Sequence, residues 1–220
     1  KRSGFVINQL SGGGCEHMGN FPTFPVKGKL KMSPDNILNY RINISEEKGH
    51  AGYYEAMVQE DIKAKLTVTE RTGMASYEYP ADQQYGTVII GGGISATPIE
   101  QAAIVITAPN KCEGYAEGGN FCGLRTPYKV YFVAEFDTDA LESGTWKRNE
   151  LKPNTTFAEG EYSGVYFTFD VNKKKNIQYK IGVSYVSVEN ARENLKAENT
   201  GWDFLQIQNQ AESKWNHYLG

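Results

Sequence analysis

Between Val26 and Tyr185 the apolar residues of this 220-residue chain recur at every second position, which restricts it to a fold of half-buried strands. In YKVYFVAEF, Tyr128, Val130, Phe132, Ala134 and Phe136 share one face. Tyr54, Ala56 and Val58 repeat the pattern, as do Ile62, Ala64, Leu66 and Val68, then Val165, Phe167 and Phe169, and finally Ile177, Tyr179, Ile181, Val183 and Tyr185. A helix would space these residues three and four apart, so none of the runs suits one. Fourteen tyrosines and ten phenylalanines favour strands as well.

Weaker signals fill the gaps. VKGKLKM reads as a half-exposed strand with Val26, Gly28, Leu30 and Met32 on one face, followed by a turn at Ser33-Pro34-Asp35-Asn36 and a strand through Tyr40, Ile42 and Ile44. Tyr77 and Tyr79 mark a strand stopped by Pro80. Thr87 to Ile90 is continuously apolar and reads as a strand covered on both faces. Ile94 to Thr107 supplies another, interrupted at Pro98. Glu46 to Gly52 and Asp137 to Ala158 read as loops, and KCEGYAEGGNFCGLRTP as a glycine-rich connection. Ten or more antiparallel strands with short turns predict a mainly β fold, a large antiparallel β-sandwich.

The pattern changes at Ser187, which is placed to cap a helix with Val188, Ala191 and Leu195 on its apolar face and Glu189 in its first turn. Asn199, Thr200 and Gly201 break it. A second helix begins near Trp202-Asp203, with Phe204, Ile207, Ala211, Trp215 and Tyr218 on one face. The expected division is 1–186 for the sandwich and 187–220 for a C-terminal helical segment, with the stripe, Trp202 and Trp215 engaged in packing. A sandwich that ends on an amphipathic helix suggests that a second domain follows.

A net charge of −3, from 23 basic and 26 acidic residues without long single-sign runs, argues against nucleic acid and anionic membranes as partners. No apolar run reaches the ~18 residues of a membrane helix. The chain begins at Lys1 without Met and so reads as a processed or trimmed piece. Its cysteines, Cys15, Cys112 and Cys122, make no disulfide framework; Cys112 and Cys122 flank a glycine-rich turn and could be bridged if that turn is a hairpin in an oxidising compartment. His17, His50 and His217 lack paired metal-ligand spacing.

There is no nucleophile elbow, no phosphate loop ending in Lys-Ser or Lys-Thr, and no HExxH. GGGIS at Gly91 to Ser95 follows a strand, but Pro98 opposes the helix that a dinucleotide site requires. A glycosidase needs two carboxylates across the scissile bond, and spacing marks no such pair. Glu55, Glu60, Asp61 and Glu70 read as a solvated face. The sequons at Asn43 and Asn154 are common by chance. That leaves GFVINQLSGGGCEHMGNFPTFP, Gly4 to Pro25, where three consecutive glycines let another group approach the backbone. It is either a crossover between strands or the rim of a sugar pocket. Asn8, Gln9, Glu16 and His17 are the polar side chains it offers to a ligand.

This last segment resembles the Gly-Phe-Ser-x-x-His-Leu-Ser-Gly-x-Gly-Cys stretch of the N-terminal domain of glycoside hydrolase family 92, the calcium-dependent exo-α-mannosidases, with Gly4, Phe5, Leu10, Ser11, Gly12, Gly14 and Cys15 in place. Gly52-Tyr53-Tyr54 and Thr69-Glu70-Arg71 resemble a second family segment. YKVYFVAEF, IGVSYVSVENARENLKAENTGWDF and its Gly201-Trp202-Asp203-Phe204 entry resemble a third. The resemblance implies a galactose-mutarotase-like supersandwich packed on a C-terminal (α/α)₆ catalytic domain that inverts the anomeric centre. It implies that the general acid, the general base and most calcium ligands belong to that domain, with no catalytic residue or cofactor expected on this chain. It further implies that the loop from Gln9 to His17 faces an α-mannoside or N-glycan-type oligosaccharide, that the last helix meets the barrel, and that the protein is periplasmic or secreted. Gln9 stands where the family usually has His, and Ile7 where it often has another; Gln9 hydrogen-bonds hydroxyls but does not titrate near neutrality. The readings from other classes are a stand-alone carbohydrate-binding module and a pure scaffold.

Overall fold

The computed structural model describes residues 4–9, 12–35 and 43–220. In chain order the described strands are β1 (Thr23–Lys27), β2 (Ile44–His50), β3 (Tyr53–Val58), β4 (Ile62–Val68), β5 (Thr72–Glu78), β6 (Tyr85–Gly91), β7 (Ile99–Ala108), β8 (Lys111–Phe121), β9 (Leu124–Phe136), β10 (Glu142–Lys147), β11 (Glu150–Pro153), β12 (Phe157–Glu159), β13 (Ser163–Asp170) and β14 (Asn176–Ser184). Helices α1 (Val188–Glu198) and α2 (Phe204–Leu219) follow. One antiparallel sheet runs β1-β6-β13-β10-β11, and the other runs β12-β7-β8-β9-β14-β5-β4-β3-β2. The chain is a mainly β sandwich with two short C-terminal helices.

The core lies between the sheets, where Phe24, Tyr77, Phe132, Phe136, Trp146, Phe167 and Phe169 are almost wholly buried. Phe136 meets Phe167, Phe169 and Tyr179 at centroid distances of 5.0, 5.0 and 5.3 Å, so the inward faces of both sheets interlock through one ring. The apolar run Thr87–Ile90 lies in β6, whose residues from Gly86 onward are all buried. The Gly91–Gly93 triplet serves close packing: the N–H groups of Gly92 and Gly93 both donate to Ser163 O, and a Cβ on Gly93 would sit 1.9 Å from Gly160 O.

Several expected loops are strands, for reasons of side-chain size and exposure. Glu46–Gly52 was expected to be a loop, but β2 runs through Glu46 to His50 as a sheet edge exposed along its whole length, so it buries nothing and leaves no alternating trace. The glycine-rich connection is β8 and the start of β9. Its inward positions are the small residues Cys112, Gly114, Ala116 and Gly118, and a Cβ on Gly114 would lie 2.1 Å from Ala103 O. Asp137–Ala158 contains β10, β11 and part of β12, with Trp146 as the buried anchor of β10. The expected VKGKLKM strand ends at Lys27, where Gly28 turns the chain at φ +73. Pro34 and Asp35 are helical; Asn36, Tyr40 and Ile42 lie outside the described residues.

Both helices cover the face of the long sheet that turns away from the core. Ser187 caps α1, its hydroxyl accepting from Asn190 N–H, and Asp203 caps α2 through Gln206 N–H. Ala191 and Leu195 pack on Val133. Phe204 and Ile207 pack on Met74, with Tyr53 and Trp202 alongside. At the corner between the helices, Lys180 Nζ donates to Asn199 O at 3.0 Å and lies 4.4 Å over the Trp202 ring; burial pushes its amine down. Toward the end of α2 the stripe leaves the sheet. Trp215 is 43% exposed and Tyr218 is 76% exposed, so Trp215 is not a core residue of this domain.

Candidate functional site

The described stretches 4–9 and 12–20 lie on either side of two residues outside the described ones. Phe5 pairs with Thr23, and Gln9 pairs with Met18, in isolated antiparallel bridges, while Gly19 N–H donates to Asn8 O at 2.8 Å. A disulfide between Cys15 and Cys122, Cα atoms 5.3 Å apart, ties this loop to the tip of the β8–β9 hairpin. The Cys112–Cys122 bridge that the sequence left open is therefore not formed. Cys112 points into the core from β8 as a free thiol, pushed well up by burial with Glu113 adding to it, whereas Cys122 lies in the two-residue turn with Gly123. Both turn residues have positive φ, 54° and 85°, as a tight hairpin of the primed type requires.

His17 seals the same junction. It is 8% exposed, its Nδ1 lies 3.3 Å from Asn120 O, and its ring meets Phe121 and Tyr128 edge-on at 5.6 and 5.3 Å. Beside it sits a polar knot built on Asn20, which is fully buried. Asn20 Oδ1 accepts from the Tyr128 hydroxyl at 2.6 Å and from Asn8 Nδ2 at 3.2 Å, and Asn20 N–H donates to Asn8 Oδ1 at 2.8 Å. Burial pushes the Tyr128 phenol up to about 12, so it remains a donor throughout the physiological range. Asn8 Nδ2 also donates to the hydroxyl of Tyr185, 177 residues away, at 3.3 Å.

The four residues picked from sequence thus divide. Asn8 and His17 are half-buried and buried members of the loop's support, while Gln9 and Glu16 are exposed on its outer surface; Ser11 lies outside the described residues. Sequence reasoning missed Asn20, Tyr128 and Tyr185. Asn20 stands in the singled-out segment, but nothing local distinguishes a buried Asn from a loop Asn, and the other two were read only as strand residues.

Several carboxylates are held in ion pairs. Glu100 pairs with Arg125, Glu117 with Lys129, Glu113 with Arg192, Glu142 with Lys29 and Asp137 with Lys174. The Tyr53 hydroxyl holds Glu55 below the usual carboxylate range, and Arg125 does so for Glu100. At Glu198 burial works the other way but is outweighed by hydrogen bonds from Thr69 and Arg71. A general acid needs the opposite displacement. Among the described residues no three His, Cys, Asp or Glu side chains are grouped to hold a metal ion.

Residues 1–184 match the family model of the glycosyl hydrolase family 92 N-terminal domain. The chain belongs to that family. A curated relative from Arthroderma benhamiae, described as an uncharacterized secreted glycosidase, is 25% identical over 244 aligned residues, covering 99% of this chain and 31% of the relative. A family GH92 α-mannosidase from Bacteroides thetaiotaomicron shares the fold with a TM-score of 0.83 and 24% identity, over 96% of this chain and 30% of its own. That enzyme has also been solved in complex with mannoimidazole. A family GH92 inverting mannosidase from the same organism superposes with a TM-score of 0.75 at 24% identity, over 91% of this chain and 26% of its own. The chain therefore spans about a third or less of the length of these relatives. Among the described residues no helix is long and apolar enough to cross a membrane.

Proposed function

We propose that this domain forms one wall of the mannose-binding pocket of an inverting exo-α-mannosidase, and that the general acid, the general base and most of the calcium ligands come from a following catalytic domain. The observation that carries this reading is the stapled loop: a family 92 segment with open glycines, held by the Cys15–Cys122 disulfide and the buried Asn20 knot, with Gln9 and Glu16 exposed upon it. Such a loop is fixed enough to position hydroxyl-binding groups without reorganisation. The α2 stripe, exposed at Trp215, Tyr218 and Leu219, is the proposed contact with the catalytic domain. The disulfide suits a secreted or periplasmic setting. The test is deletion of Gly12–Gly14 in the intact enzyme: a raised KM for an aryl α-mannoside is expected, and unchanged kinetics would favour a scaffold. Calorimetry of the isolated domain with mannobiose separates the binding module, which binds at millimolar or tighter, from a wall that needs its partner.

A further inference from the structure

Tyr185 lies one residue past the end of β14 and keeps 53% of its surface exposed, yet it is tethered from two sides. Its hydroxyl accepts from Asn8 Nδ2 at 3.3 Å and donates to Met18 Sδ at 3.6 Å, both on the glycine-rich loop. Tyr128 meets its ring edge-on, with centroids 6.4 Å apart and planes at 65°. Val186, 72% exposed, extends the apolar surface beside it. Behind this pair Asn20 holds both Tyr128 and Asn8, while its own Nδ2 is buried without a protein partner. An exposed tyrosine of no consequence would keep its rotamer freedom; here a buried polar layer fixes Asn8 and Tyr128, and these fix the ring. A pyranose offers an apolar C–H face bordered by hydroxyls, which suits an oriented aromatic ring with amide groups at its edge.

We infer that Tyr185 contacts the saccharide, its ring stacking on the C–H face of a hexopyranose, with Asn8, Tyr128 and Asn20 as positioning residues. This rests on the mannosidase reading above. The competing role, a seal against the catalytic domain, predicts a stability effect instead.

The test compares wild type, Tyr185→Ala and Tyr185→Phe in the intact enzyme, with an aryl α-mannoside and an α-mannobiose as substrates. Loss of the ring in Tyr185→Ala is expected to lower kcat/KM about tenfold with the melting temperature unchanged, and Tyr185→Phe is expected to stay within about threefold of wild type. An active wild type with an unaffected Tyr185→Ala variant overturns the inference, as does a variant whose loss of rate tracks a fall in melting temperature. A wild type that turns over no mannoside overturns the mannosidase reading, and this inference with it.

Discussion

Replacing Cys15 and Cys122 by serine should weaken the whole sandwich, because the bridge closes a segment with a sequence separation of 107 residues. The chain-entropy relation gives about 16 cal/mol/K for a loop of that length, or roughly 4.8 kcal/mol at 25 °C as an upper figure, against about 2–4 kcal/mol typically measured. With an unfolding entropy of about 2.1 cal/mol/K per residue over the chain, 2–4 kcal/mol lowers the melting temperature by about 4–9 °C. The assay is thermal unfolding of oxidised wild type, dithiothreitol-reduced wild type and the double variant. The reduced protein and the variant should melt together, below the oxidised form. A thiol count should find no reactive cysteine in the folded oxidised protein, because Cys112 is buried. A double variant that melts with oxidised wild type, or peptide mapping that finds Cys112 in the bridge, would refute the reasoning.

Other sites give further tests. Glu198→Gln keeps one oxygen for Thr69 Oγ1 and Arg71 N–H but removes the charge and sets an NH2 group against Arg71 Nε in place of the second oxygen, and should cost about 1–3 kcal/mol in urea unfolding at pH 7, at the lower end because Arg71 is half exposed. The folded Glu198 carboxyl titrates below its unfolded value, so its contribution is present above about pH 4.3 and is lost as pH falls through the folded value; the variant should show a flatter acid limb. Gly93→Ala should abolish soluble folding or cost more than about 4 kcal/mol, because its Cβ would meet the Gly160 carbonyl oxygen. Trp146→Ala should cost about 3–5 kcal/mol, measured by denaturant midpoint. Trp146→Phe should cost much less, since the indole Nε1 has no hydrogen-bond partner among the described residues to lose.

The fold was legible where large side chains point inward at every second position, as from Tyr128 to Phe136, and where a helix cap is spelled out, as at Ser187. It was illegible where the inward positions hold glycine, alanine and cysteine, as in β8, because close sheet packing there removes the contrast that alternation depends on. The edge strand β2 was hidden for the opposite reason, having no buried face. At the candidate site the loop was readable from its glycines, but its support was not. The pairing of Cys15 with Cys122 spans 107 positions and the Asn8 bond to Tyr185 spans 177, and no local spacing encodes contacts that exist only once both sheets have formed.

The most direct measurement is hydrolysis of 4-nitrophenyl α-mannoside by the 220-residue chain alone and by the same chain joined to the catalytic domain proposed to follow it. Turnover only in the joined protein is the predicted outcome. Release of nitrophenol by the chain alone would contradict it, because proton donor and base would then have to come from this chain's own carboxylates.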